Sequence, residues 1–368
     1  MRILQTPGRL FATGGVESYV RNLSKELVGM GHEVAAICRD EPGENAVDKR
    51  IRIETLRSTG KIANTSITPR LPLALLQEDF DILHTHLPTP WSADWSSIVS
   101  RLKGRPLVLT YHSDIAGTGL AHHIAAAYNY TALKFLLRNA DRIIITRQSY
   151  LSKHLSGQKK KIAIIPIGVD SRVFRPVPTK KKGDVFFLSV LDDYHGFKGL
   201  DVLLEAVRIA KRDMPDLRLI VGGDGSKRIF YEDASRSMGL SRNVEFVGSV
   251  PQERLTEYYN GCSLFVLPST DPGRETFGIV LLEAMACGIP VIATEIAGPA
   301  EAIRESGAGL VIPPGNKKML AEAMIRILGS RDLAASMGIE GRRLAEKKYN
   351  WRRIAEQTAV LYEELIRI

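Results

Sequence analysis

An α/β protein of two doubly wound, parallel-sheet domains is the fold this sequence predicts, on three observations. Short apolar runs alternate with helical patterns along the whole chain. The alternation breaks at Asp170–Lys182 (DSRVFRPVPTKKK), where two prolines and a basic run without periodicity read as an interdomain linker. The third is length: 368 residues exceed one ordinary core and suit two domains of roughly 150–200 residues.

In the first half the predicted strands are Arg2–Thr6, Glu33–Cys38, Ile51–Leu56, Ile82–Leu87, Leu107–His112, Arg142–Thr146 and Ile162–Ile167, with helices at Val16–Gly29 and His122–Asn139 among those between them. Gly31 just past the first helix is a glycine C-cap. After the linker come strands at Val185–Val190, Leu217–Gly222, Val244–Val247, Leu264–Pro268, Pro290–Thr294 and Gly309–Ile312. Trp351, Ile354, Thr358, Leu361 and Leu365 recur at helical spacing and give the tail one apolar face that must dock. The predicted domains are therefore 1–170 and 171–349, with a C-terminal helix over about 350–368 that can pack back on the first.

No apolar run approaches the roughly 20 residues of a membrane span, and Gly and Arg interrupt the N-terminus before a signal-peptide core can form. A cytoplasmic protein is expected. Cys38, Cys262 and Cys287 lie in apolar runs, away from CxxC or His spacing, and read as small buried hydrophobes. The net charge of +9 is unevenly divided. Residues 1–176 hold 24 Lys and Arg against 15 Asp and Glu, whereas 177–368 hold 26 of each. The first half thus attracts anions, such as phospholipid headgroups, polyprenyl phosphates or anionic glycans. Nucleic acid is not expected as a partner, because no recognition motif or aromatic platform accompanies the charge.

The densest chemical signal is Glu275–Gly288, ETFGIVLLEAMACG. An apolar helix starts just after a Pro/Gly-rich loop, so the amides of Phe277, Gly278 and Ile279 suit a phosphate or diphosphate. Gly278 permits close approach of a ligand. Glu283 sits in an otherwise apolar segment, where a lone carboxylate is costly; sugar or ribose hydroxyls would satisfy it. His112 ends the strand LVLTYH, at the edge where ligands gather in open parallel sheets.

ETFGIVLLEAMACGIPVIAT, with its Glu-x7-Glu spacing, resembles the signature of the retaining glycosyltransferases of family 4, which have the GT-B fold of two Rossmann-like domains facing a central cleft. GGVE (Gly14–Glu17), TYHSD (Thr110–Asp114), PIGVD (Pro166–Asp170), FKGLD (Phe197–Asp201), VGGDG (Val221–Gly225), VEFVGSV (Val244–Val250) and AGPAEAI (Ala297–Ile303) match in the family's order, so the resemblance spans essentially the whole chain. It implies a nucleotide-sugar donor, UDP- or GDP-linked, and a glycan or lipid-linked, anionic acceptor bound mainly by the first half, with peripheral contact to an anionic membrane. Glu275 would bind hydroxyls of the transferred sugar and Glu283 the ribose, while Thr276 and the Phe277–Ile279 amides line the phosphates and sugar. Lys198 would neutralise the diphosphate. Gly14 and Gly15 would let the first loop reach the ligands, Gly248, Ser249 and Val250 would meet the base, and His112 would touch the transferred sugar. No metal and no cofactor is implied, since the departing phosphate can itself take the acceptor's proton.

One position departs from the pattern. The family usually carries Arg five or six residues before the lysine; here Asp192 and Asp193 stand there, in SVLDDYHGFKG. His195 or Arg274 supplies the missing cation, the loop is reshaped, or transfer is impaired. A binding scaffold without turnover, or a nucleotide-sugar epimerase of the same fold, is the alternative. Two further motifs are set aside: Asp79-Phe80-Asp81 matches the metal-binding DxD of another glycosyltransferase fold but enters a strand, and VGGDGS does not fit a dinucleotide fingerprint.

Overall fold

A computed structural model describes residues 1–12, 14–41, 47–62, 65–115, 117, 119–147 and 155–367. The chain divides into two compact units, Met1–Ile167 with Trp351–Ile368, and Gly168–Asn350.

The first unit is built on the strands β1 (Arg2–Thr6), β2 (Glu33–Arg39), β3 (Arg52–Leu56), β6 (Ile82–Leu87), β7 (Leu107–Tyr111), β8 (Arg142–Ile145) and β9 (Ile162–Ile164). They form one seven-stranded sheet of order β3-β2-β1-β6-β7-β8-β9, every pairing parallel. A small antiparallel ribbon of β4 (Gly60–Ile62) and β5 (Thr65–Ile67) lies outside it. Helices α1 (Gly15–Gly29), α2 (Leu71–Gln77), α3 (Pro90–Lys103), α4 (Leu120–Tyr130) and α5 (Ala132–Asn139) connect the strands. Parallel strands covered on both faces must be apolar throughout, and β6 and β7 are buried at every residue.

The predicted helix over His122–Asn139 is two helices. Thr131 leaves the helical region (φ −114°, ψ −83°), and its hydroxyl donates to the Ala127 carbonyl at 2.7 Å, a side-chain bond that competes with helix continuation. The C-terminal helix, Trp351–Ile366, buries Trp351, Ile354, Ala355, Thr358, Ala359, Leu361 and Tyr362 in the first unit. Trp351 meets the Tyr19 ring edge-on at 5.5 Å, and the Tyr362 hydroxyl lies 2.6 Å from His84 Nδ1. Trp91 and Trp95 are packed against the apolar core of this unit, with the Trp91 indole donating to the Thr68 carbonyl at 3.0 Å.

The second unit has the strands β10 (Val185–Leu188), β11 (Leu219–Gly222), β12 (Val244–Gly248), β13 (Leu264–Leu267), β14 (Val291–Thr294) and β15 (Gly309–Ile312). They make a six-stranded parallel sheet of order β12-β11-β10-β13-β14-β15. Its helices are α6 (Leu200–Ala210), α7 (Arg228–Ser237), α8 (Gln252–Asn260), α9 (Ile279–Ala286), α10 (Ala300–Ser306), α11 (Lys317–Leu328) and α12 (Arg331–Lys347). One core joins Val185, Phe187, Leu203, Leu204, Val207, Val221, Leu264, Val266, Leu320 and Met324, so α6 and α11 cover the same face of the sheet.

The 170–182 segment is irregular, as its prolines require, but it is fastened to the second unit. Asn260 accepts from the Val177 amide at 3.0 Å and donates to the Arg175 carbonyl at 3.0 Å. Arg342 donates to the carbonyls of Phe174 at 2.8 Å and Ser171 at 3.1 Å. The chain passes between units at Gly168 and again at Trp351, next to a parallel bridge between Val169 and Asn350. Among the described residues no helix is long and apolar enough to cross a membrane.

Candidate active site

In the second unit the strand order reverses between β10 and β13. Loops leaving the carboxyl ends of two such strands part from each other, and ligands of open parallel sheets bind in the crevice they leave. The loop after β10, residues 189–199, carries Lys198; the loop after β13, residues 268–278, carries Glu275. The Thr270 amide donates to the Phe197 carbonyl at 2.8 Å and stitches the loops together. Gly199 makes this approach possible. It caps α6 at φ +79°, and a β-carbon there would overlap the Pro268 carbonyl oxygen. Gly223 does the same further back: at φ +125°, a β-carbon would overlap the Ser189 carbonyl oxygen at the root of the Lys198 loop.

The structure brings Lys198 and Glu275 together. The Lys198 ammonium donates to both carboxylate oxygens, at 2.9 and 3.2 Å. The Glu275 side chain is wholly buried and also accepts from the Ser269 hydroxyl. Ser269 is held in turn by the Thr294 hydroxyl, which donates to its carbonyl at 2.8 Å. A buried carboxylate is tolerable only with this degree of pairing. Helix α9 begins at Ile279, with Gly278 as a left-handed N-cap at φ +87°. The Leu281 amide donates to the Gly278 carbonyl at 2.9 Å, while the Ile279 and Val280 amides, at the positive end of the helix dipole, have no intrahelical acceptor. Phe277 precedes the cap. Its ring is buried edge-on to Tyr349, and its carbonyl accepts from the Gly298 amide at 2.8 Å, directly under the glycine of AGPAEAI. Thr276 is exposed.

Glu283 lies one α9 turn further on, half-buried, and accepts from the Tyr259 hydroxyl at 2.6 Å. Burial pushes its carboxyl up to about 7, against the opposing pull of that hydrogen bond. Gly248 holds a left-handed turn against the Arg228 guanidinium, followed by exposed Ser249 and half-buried Val250.

The acidic positions have local partners. Asp192 accepts from the His195 amide at 2.7 Å and lies 2.8 Å from His195 Nδ1. Asp193 pairs with Lys227 at 3.0 Å. The Arg274 guanidinium lies against Tyr194 and Phe197, 4.6 and 5.2 Å from their ring centroids, and donates to the Tyr194 carbonyl at 2.6 Å.

Gly14, Gly15 and His112 belong to the first unit. Gly14 caps α1, and a β-carbon on it would strike the Glu17 carboxylate, which pairs with Arg9 at 2.8 Å. His112 follows β7, its amide donating to the Leu87 carbonyl at 3.2 Å. Its ring is buried between His86, stacked at 5.7 Å, and the edge of Tyr19 at 4.8 Å, and burial lowers its pKa to about 3. Sequence reasoning missed Ser269, Tyr259 and Lys227. No motif marks them; Tyr259 and Lys227 act through contacts between separate elements, and Ser269 through one within the Glu275 loop. Asp79 and Asp81 both pair with Arg2, a structural role. The three cysteines are buried. Among the described residues no group of three His, Cys, Asp or Glu is placed to hold a metal ion.

Known proteins of similar sequence and fold share this two-unit architecture. Residues 13–173 match the model of glycosyltransferase family 4, and residues 170–344 that of the glycosyl transferases group 1. A phosphatidylinositol N-acetylglucosaminyltransferase subunit of Arabidopsis thaliana is 25% identical over 100% of this chain and 83% of its own length. The phosphatidyl-myo-inositol mannosyltransferase of Mycobacterium leprae is 25% identical over 95% of this chain and 93% of its own. Among solved structures, Anabaena HepE in complex with UDP and glucose superposes with a TM-score of 0.77 at 20% identity, covering 99% of this chain and 100% of that one. Two parallel-sheet Rossmann-like units, two adjoining family matches and the Glu-x7-Glu helix agree: the chain belongs to the family-4 glycosyltransferases of GT-B fold.

Proposed function

We propose that the protein transfers a hexose-type sugar, with retention of configuration, from a UDP- or GDP-linked donor to a hydroxyl of an anionic, lipid-linked acceptor. The observation that carries this reading is the Lys198–Glu275 pair, set at the strand-order reversal beside the N-terminus of α9. A nucleoside diphosphate leaving group gains negative charge as the glycosidic bond breaks. A preorganised ammonium and first-turn amides stabilise that charge without reorganising, which is the main source of rate in such a site. Glu275, wholly buried and bonded to Lys198 and Ser269, holds the ammonium in place and acts on the donor through it rather than by meeting the sugar hydroxyls directly; Glu283 meets the ribose, and Gly248–Val250 the base. The departing phosphate takes the acceptor's proton on the same face, so the reaction needs neither a dedicated base nor a metal.

The lipid-linked acceptor is supported by the two relatives, one a phosphatidylinositol N-acetylglucosaminyltransferase subunit and the other a phosphatidyl-myo-inositol mannosyltransferase. The surplus of positive charge in the first half supports it independently. The α4–α5 surface suits such a headgroup. Tyr130 and Phe135 are exposed, Lys134 sits 3.9 Å over the Tyr130 ring, and the basic Arg138 closes α5. The protein would work peripherally at the cytoplasmic face of a membrane.

A thermal-shift screen against UDP-, GDP- and ADP-sugars tests the donor. A donor at 100 times its dissociation constant adds about 2.7 kcal/mol and identifies itself. Proton NMR of the product then reads the anomeric configuration, and assay in EDTA reads metal dependence. The second reading, a donor-binding scaffold without turnover, is favoured by the carboxylates at 192 and 193. It stands if the donor binds without transfer and Asp193→Arg restores transfer.

A further inference from the structure

The site must admit a ligand bearing at least two negative charges, and the pairing of its cations decides which group can receive it. Lys198 faces Glu275, His195 faces Asp192, and Lys227 faces Asp193. Each of these groups is already met by a carboxylate. Arg274 differs. Its Nη2 donates to the neutral Tyr194 carbonyl, and among the described residues no carboxylate pairs with it. It adjoins Glu275 in the loop after β13, on the Lys198 side of the site. The Lys198 ammonium and the Arg274 guanidinium lie 5.0 and 5.2 Å from the centroid of the same Phe197 ring, which caps their separation at about 10 Å.

We propose that Arg274 is a phosphate-binding residue of the donor site, acting with Lys198 on the diphosphate and supplying the positive charge that Asp192 and Asp193 deny to the neighbouring loop. This rests on the nucleotide-sugar reading given above. Contact with the Tyr194 and Phe197 rings and the hydrogen bond to the Tyr194 carbonyl restrain the guanidinium, so less freedom is lost when a phosphoryl group docks on its fork of donors. The two rings also displace water on their side of it, which strengthens its remaining electrostatic contacts. Lys227 is less suited: its charge is met by Asp193 at 3.0 Å.

The test is isothermal titration of UDP and GDP into the full chain and into Arg274→Gln and Arg274→Lys, at low and high salt. Gln keeps a planar donor for the Tyr194 carbonyl and removes the charge. The expected result is a loss of about tenfold or more in affinity for the preferred nucleoside diphosphate in Arg274→Gln, partly recovered in Arg274→Lys. The ratio of wild-type to variant affinity should shrink toward one as salt rises, because a charge contact is screened. Unchanged affinity in Arg274→Gln overturns the proposal. So does a loss that salt leaves constant, which marks a change of loop shape. Failure of the wild-type protein to bind either nucleoside diphosphate overturns the donor reading itself, and the proposal with it.

Discussion

Replacing Lys198 by Met keeps most of the aliphatic stem and removes the charge that faces Glu275. The Glu275 side chain has no solvent exposure, so the carboxylate cannot recover by hydration what it loses from its cation. Breaking a buried ion pair from one side costs about 3–5 kcal/mol. Lys198 keeps 19% exposure, a route by which water can enter, and this sets the expectation near the lower limit, about 3 kcal/mol. Glu275→Gln leaves an ammonium that can reach solvent, and should cost less, about 1–2 kcal/mol. In the double variant no charge is stranded, so Lys198→Met made in the Glu275→Gln background should cost about 1 kcal/mol, a coupling of about 2 kcal/mol. Native-state hydrogen exchange of the α9 and β13 amides measures this locally, independent of whether the two units unfold together. Equal cost of Lys198→Met in both backgrounds would refute the reasoning, because the two groups would then not be coupled.

Gly199→Ala should destabilise the second unit by about 1–3 kcal/mol from the left-handed backbone alone, and weaken donor binding as the loops part; wild-type stability in urea would remove Gly199 from the site's construction. Burial holds His84, His86 and His112 neutral, with pKa values pushed far below 6.5, and the polar groups against them, Gln5, Tyr19, Thr110 and Tyr362, include no acid. The unfolded chain therefore binds more protons below pH 6.5, and the first unit should lose on the order of 4 kcal/mol by pH 5.5 if all three respond. Trp91, Trp95 and Trp351 all lie in that unit, so tryptophan fluorescence in urea reads the effect; a midpoint unchanged from pH 7.5 to 5.5 would contradict it. Glu283 has the opposite sign: its raised pKa stabilises the second unit below pH 4.5, a contribution lost as pH rises through about 7. Lys134→Glu with Arg138→Glu should weaken binding to anionic liposomes at low salt, and unaltered sedimentation with the vesicles would move the acceptor surface elsewhere.

The sheet was legible in the sequence because parallel strands covered on both faces must be continuously apolar; the predicted strands of the two large sheets match the observed ones within a few residues at each end. The break at Thr131 was not, since it turns on one hydroxyl competing for a carbonyl. The fastening of 170–182 was hidden too, because Asn260 and Arg342 reach it from 80 or more residues away. At the site, Glu275, Glu283 and Gly278 stood out in the sequence by their apolar or glycine-rich surroundings, and Lys198 only through the family resemblance of FKGLD. That Lys198 is the direct partner of Glu275 was not readable, since the two are 77 residues apart and meet through the strand reversal. In the sequence Asp193 shows only as a carboxylate where the family usually has Arg, and the cation that pairs with it, Lys227, lies on the far side of β11 in the chain.

The most direct measurement is a crystal structure of the chain with the nucleotide sugar found by the screen. Both phosphoryl groups should lie within hydrogen-bond reach of Lys198 or of the amides opening α9, with the ribose at Glu283. Density for the nucleotide anywhere other than the β10–β13 reversal would contradict the assignment of this site as the donor pocket.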